Sequence, residues 1–200
     1  MGVHTVADIV RVHGVERADH PALILGERTL SWGELYERSC RVANLLAAAG
    51  VGNQDRVAFL DKNGIEHFEV FYGAALLNAV CVDVNWRLAA PEVEYIVNDA
   101  EAKVLVVGRD FVPVLHAIAS ALTSATTILV IDAEASGFDD YERAVAASPA
   151  GDPGVPSEAG DVAFQLYSSG TTGRPKGVML TNANFFGLLP AAKEMWEFDA

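Results

Sequence analysis

Residues 167–178 read Tyr-Ser-Ser-Gly-Thr-Thr-Gly-Arg-Pro-Lys-Gly-Val, which gathers hydroxyl side chains, glycines and two cations into one short run. Glycine has no Cβ, so a chain containing Gly170 and Gly173 can bring successive backbone N–H groups close to a ligand. Consecutive inward-turned amides make a nest for an anion. Ser168, Ser169, Thr171 and Thr172 can donate to phosphate oxygens or reach a metal through their hydroxyls, and Lys176 supplies a mobile point charge. Pro175 stiffens the segment that presents that lysine. The chain carries 14 basic and 27 acidic residues for a formal charge of -13, so local cations are needed to admit a polyanion. Mg²⁺ is the natural companion, because it bridges phosphates while keeping few protein ligands.

A run of serine, threonine and glycine is in general an exposed hairpin loop. The density of donors and the two cations favour the anion site over that reading. A Walker-type loop is excluded on spacing, since it needs Gly-Lys-Ser/Thr opening directly into a helix. Here Pro175 precedes Lys176, Gly177 follows it, and Val178-Met179-Leu180 reads as a strand.

The elements that must position this loop are a strand over 162–167 before it and a helix from about Asn182 after it. Upstream, the hydrophobic period alternates between 2 and 3.6. Thr5 with Asp8 opens a short amphipathic helix that ends before Gly14; runs 22–25 and 29–30 form a hairpin; Ser31 and Glu34 make a capping box for a helix that stops at Gly50. Strands follow at 56–60, 80–84, 103–107 and 126–131, with helices at 65–78, 91–99 and 111–122 between them. Such alternation calls for parallel pairing with crossover helices, so the fold class is α/β with a mainly parallel sheet. Residues 148–160 hold three prolines and three glycines and read as a surface connection. The last helix carries Leu188, Leu189, Ala192 and Trp196 on a face that is expected to be exposed or paired with another copy, as in a homo-oligomer.

Tyr167 to Val178 resembles the AMP-binding signature of the adenylate-forming enzymes, with Ser168 where threonine is commoner. Thr29 to Leu35 resembles the family's early Thr-Tyr-x-Glu-Leu segment. The stretches Phe71 to Val80, Asn85 to Leu88 and Glu92 to Asp99 are similar to what fatty-acyl-CoA synthetases place before the phosphate loop. Family members usually show proline where this chain has Asp83 and Trp86. Asp83, on an otherwise apolar strand, needs a hydrogen-bond partner if buried, and a turn or a basic side chain is expected to supply it.

The resemblance implies ATP-dependent activation of a carboxylic acid, of the fatty type, to an acyl-adenylate and then to a thioester of coenzyme A. It implies that Ser168 to Gly173 hold the pyrophosphate end, that Lys176 is catalytic, and that Thr171 is catalytic and places its hydroxyl near Mg²⁺. It makes residues 1–200 the N-terminal portion of the AMP-binding domain, less than half of a typical member, cut short before the adenine site and the C-terminal domain. On that basis the isolated chain is expected to be inactive. An adenylation enzyme that loads a carrier protein, and a non-catalytic phosphate-binding scaffold, stay open as alternatives.

Composition narrows the remaining classes. A chain that is 51% hydrophobic can bury a core, and its acidic balance offers no broad cationic face for nucleic acid. No apolar run approaches the ~20 residues of a membrane span, and the start lacks the pattern of a secretory signal, so the expected location is the cytoplasm. Cys40 and Cys81 sit far apart in apolar segments and read as buried free thiols. His4, His20, His67 and His116 are scattered singly and suggest no zinc site. No Gly-x-Ser-x-Gly elbow supports a hydrolase triad.

Overall fold

The structure, a computed structural model, describes residues 2–132, 137–169 and 174–196. Helix α1 (Val6–Glu16) opens as expected, with Thr5 and Asp8 exchanging capping hydrogen bonds. It does not stop before Gly14. A Cβ at that position would lie 2.5 Å from Cβ of Tyr36, so the glycine serves the close approach of α1 to helix α2 (Trp32–Ala48). Between them, β1 (Pro21–Leu25) and β2 (Arg28–Ser31) form a small antiparallel sheet, and the Ser31 and Glu34 capping box starts α2.

The main body alternates strand and helix: β3 (Arg56–Leu60), α3 (Ile65–Leu76), β4 (Val80–Asp83), α4 (Ala90–Asp99), β5 (Ala102–Gly108), α5 (Val112–Ile118) and β6 (Thr127–Ile131). A short strand β7 (Asp139–Asp140) and helix α6 (Tyr141–Ala147) follow, then β8 (Val162–Ser169), β9 (Pro175–Thr181) and α7 (Asn182–Trp196). The seven-stranded sheet has the order β7-β6-β5-β3-β4-β8-β9, with every pair parallel except β8 and β9. The α/β class with a mainly parallel sheet is therefore the observed one. Two local features differ from the sequence reading. The helix expected over 111–122 is α5 flanked by single 3₁₀ turns, tighter geometry that is common at helix ends. The β7 and α6 pair carries no clear alternation, and its helix is started by Asp140 accepting from the Arg143 amide at 2.7 Å.

Side chains alternate across each strand, which splits the core in two. Val57, Phe59, Cys81, Val104, Val106 and Leu129 pack beneath α1, α2, α3 and α6. Ala58, Leu60, Val82, Leu105, Val107 and Val130 pack against α4 and α5 on the opposite face. Strands buried on both sides read as continuous apolar runs, as these do. The crossover from β3 uses one face and the crossover from β4 the other, so a crevice opens between their carboxyl ends.

Residues 148–160 contain no helix or strand. They lie against α1 and α2 through Asp152, which accepts from Arg11 Nε at 2.7 Å and Tyr36 OH at 2.8 Å, and through Asn44 Nδ2, which donates to the carbonyls of Pro149 and Gly151. Both cysteines are free and buried. On α7, Leu188 and Leu189 are 64% and 52% exposed, whereas Ala192 is turned inward and buried. Among the described residues no helix is long and apolar enough to cross a membrane.

One buried ion network joins three helices. Glu69 of α3 is 1% exposed and is chelated by the Arg38 guanidinium of α2, which also reaches Glu142 of α6 at 2.7 Å. Tyr141 donates its hydroxyl to Glu69 Oε2 at 2.9 Å. Arg38→Ala strands that carboxylate in the core, and losses of this kind cost about 3–5 kcal/mol. Arg28→Ala, which breaks the exposed pair with Glu66, should cost no more than about 1 kcal/mol. Urea unfolding of the two variants measures the contrast, and equal midpoints would show that the network does not hold the helices together.

Candidate functional site

The run singled out in the sequence spans the β8–β9 hairpin. Strand pairing extends further than the sequence suggests: Tyr167 pairs with Gly177, Ser168 with Lys176, and Ser169 with Pro175. The connection is thus residues 170–174, and Ser168 and Lys176 stand on the strands, directly opposite each other. Pro175 is tolerated because it is the first residue of its strand. The side chains of Ser168 and Lys176 are exposed. Gly170, Thr171, Thr172 and Gly173 lie outside the described residues.

The end of the hairpin nearest the connection is held by α4. Tyr167 donates its hydroxyl to Asp99 Oδ2 at 2.7 Å and accepts from Gln165 Nε2 at 3.1 Å. Tyr95, one turn before Asp99, lies 3.1 Å from the other carboxylate oxygen and 3.4 Å from the Pro175 carbonyl. The Arg174 guanidinium sits over the Tyr95 ring, 5.7 Å from its centroid. Asp99 and Tyr95 thereby tether both ends of the connection. Burial, followed by the hydrogen bond to Asp99, pushes the Tyr167 phenol up and keeps it a donor. Gly177 is required by the same arrangement, since a Cβ there would meet Gln165 Nε2 at 2.5 Å and Tyr167 Cζ at 3.2 Å.

Tyr167 also lines a cleft of about 270 Å³ at the carboxyl ends of β3, β4 and β8, together with Phe59, Asp61, Asn63, His67 and Asp83. The partner that Asp83 requires is His67, from the first turn of α3, whose Nε2 lies 2.9 and 3.0 Å from the two carboxylate oxygens. The expected basic side chain is thus identified. Cys81 Sγ is 3.7 Å from Asp83 Oδ1, and burial with the adjacent carboxylate pushes its thiol up. Burial likewise lifts the Asp61 carboxyl. Trp86, the other departure, packs under the Arg87 guanidinium at 3.8 Å from the ring centroid.

Sequence reasoning missed the Tyr95 and Asp99 anchor, although their i,i+4 spacing puts both on one helix face. It also read His67 as solitary. Cys81 and Asp83 share a strand face by their i,i+2 spacing, but only the crossover brings His67 to them.

Residues 10–199 match the AMP-binding enzyme family. A fatty acid–[acyl-carrier-protein] ligase of Streptomyces coeruleorubidus is 34% identical over 190 residues, covering 94% of this chain and 35% of the relative. A long-chain-fatty-acid–CoA ligase of Mycobacterium tuberculosis is 37% identical over 153 residues, covering 76% of this chain and 30% of the relative. Among solved structures, an anthranilate CoA ligase in complex with anthranoyl-AMP superposes with a TM-score of 0.88 at 27% identity, over 95% of this chain and 37% of that one. The chain spans about a third of the length of the curated relatives it matches.

Asp99→Ala removes the shared acceptor of both tyrosines. Hydrogen bonds to a charged acceptor contribute about 1.5–3 kcal/mol, so the hairpin should open at least about tenfold more often. Amide hydrogen exchange is the readout: β8 and β9 should exchange faster while β3 and β5 keep their protection. Uniform acceleration, or none, would remove Asp99 from its role as the anchor.

Proposed function

The chain belongs to the AMP-binding enzyme family, and we propose that the whole protein activates a carboxylic acid with ATP and passes the acyl group to the thiol of coenzyme A. The observation that carries this reading is the hairpin register, which sets Lys176 beside Ser168 at the two ends of a glycine- and threonine-rich connection. The acid's carboxylate attacks the α-phosphate, the bond to the β-phosphate breaks, and pyrophosphate leaves. ATP is a polyanion, so the protein must neutralise its far end before an anionic nucleophile can approach. Lys176 supplies a cation there, and Ser168 with Ser169, Thr171 and Thr172 supplies hydroxyl donors. Gly170 and Gly173 free the intervening amides for the same phosphates.

Serine and threonine hydroxyls are hard oxygen donors, a fit to Mg²⁺, and Thr171 is the residue assigned to it. When bound with the nucleotide, the ion supplies charge neutralisation on the phosphates. A fatty acid is the favoured substrate, in keeping with the two fatty-acid ligases among the relatives. A carrier protein in place of coenzyme A is the second reading, and the Streptomyces relative supports it. A cytoplasmic setting suits two reduced, buried cysteines.

Residues 1–200 taken alone should release no pyrophosphate above background with ATP, Mg²⁺ and fatty acids, because the chain corresponds to about a third of its relatives. In the whole protein, Lys176→Ala should lower the rate of ATP–pyrophosphate exchange about a hundred- to thousand-fold, as loss of one preorganised electrostatic contact does. Affinity for the acid should change little, since the charge that Lys176 meets builds in the transition state. Steady-state exchange at saturating acid separates the two effects. A variant with full kcat, or one that loses only acid affinity, would refute the phosphate-grip assignment. Offering coenzyme A and a carrier protein to the loaded enzyme distinguishes the acceptors.

A further inference from the structure

Three donors of different chemistry converge at the cleft, where His67 and Asp83 form part of the wall and Cys81 lies buried behind them. Cys81 and Asp83 project from the same face of β4, and His67 descends onto them from α3. His67 Nε2, Cys81 Sγ and an Asp83 carboxylate oxygen all lie within 4.8 Å of one another. The nitrogen-to-oxygen approach is 2.9 Å and the sulfur-to-oxygen approach 3.7 Å. A tetrahedral ion with bonds of about 2.0–2.3 Å holds its ligand atoms roughly 3.3–3.8 Å apart, so sub-ångström to ångström adjustments convert this cluster into a coordination shell. The His67 ring is fixed between Phe59 and Phe68, with centroids 5.0 and 5.4 Å away, which limits the reorganisation.

We propose that His67, Cys81 and Asp83 form a zinc-binding site whose fourth coordination position opens into the cleft. A nitrogen, sulfur and oxygen donor set suits Zn²⁺ and disfavours Mg²⁺ and Ca²⁺, which take oxygen shells. Three protein ligands with one position left for water or a small anion is the pattern of zinc sites that act on ligands, whereas closed structural sites use four. Binding replaces the Cys81 thiol proton, which is released to solvent, and the hydrogen between His67 Nε2 and Asp83, which passes to Nδ1 as the ring takes its other neutral tautomer. The Cys81 thiolate and the Asp83 carboxylate then balance the charge of the ion. His67 Nδ1 has no acceptor among the described residues, and histidine ligands without such support bind about 10–100-fold more weakly. This zinc site is separate from the hydroxyl and lysine cluster assigned to the phosphates.

The test uses the purified protein stripped with a chelator and titrated with Co²⁺ and then Zn²⁺. One equivalent of Co²⁺ should produce a thiolate-to-cobalt charge-transfer band with the intense visible absorption of a four-coordinate ion, and Zn²⁺ should displace it. In competition with a chromophoric chelator, His67→Gln, Cys81→Ser and Asp83→Asn should each weaken Zn²⁺ binding at least about tenfold. Cys40→Ser, a buried thiol outside the cluster, should leave it unchanged. If Cys81→Ser does not fold, Cys81→Ala preserves the apolar burial, and the wild-type cobalt spectrum decides without any variant. A cobalt spectrum lacking the thiolate band, or a Zn²⁺ affinity that survives Cys81 substitution or falls equally with Cys40→Ser, would overturn the proposal.

Discussion

Strands that run the same way end on the same edge of a sheet, and this constraint decides where chemistry can sit in the protein. Six of the seven strands are parallel, so the segments leaving β3, β4 and β8 all emerge on one rim. The crossovers then part to opposite faces and leave the rim open as a cleft. The one antiparallel pair, β8 with β9, follows at the sheet's end. Among the described residues β9 pairs with β8 alone. Its support comes from α4, through the tyrosines that meet at Asp99.

Three carboxylates that are buried or partly buried in this acidic chain are each paired across the fold. Glu69 is surrounded by Arg38 and the Tyr141 hydroxyl, Asp152 by Arg11 and Tyr36, and Asp83 by His67. Each pairing joins at least two segments of the fold, so it fixes a packing relation as well as a charge. The pairing at Asp83 differs in lying on a cleft wall with a thiol beside it, where the partners face space as well as each other.

Most of the architecture was legible in the sequence, because the parallel strands are continuous apolar runs and the helices announce their starts. Thr5 with Asp8 and Ser31 with Glu34 are capping boxes that can be read without a structure. Gly14 was misread for a physical reason: a glycine can end a helix or let a second helix approach, and local sequence does not distinguish the two. The short β7 and its helix escaped because two adjacent aspartates show no period. At the site, residue types and spacing pointed to a phosphate loop, and the structure describes only the strands that flank it. The anchor at Asp99 and the convergence of His67 on Asp83 depend on contacts 68 and 16 residues apart in the chain, which no local window contains.

Tyr167 joins the two halves of the site. Its hydroxyl is committed to Asp99, its ring crosses Gly177, and its flank forms part of the cleft. A ligand filling the cleft therefore touches the same side chain that sets the pitch of the hairpin. A larger residue at 177 would press on Gln165 and on that ring, and loss of the Asp99 carboxylate would remove the ring's hydroxyl acceptor. Tyr167 thus links the β8–β9 pairing to the cleft wall.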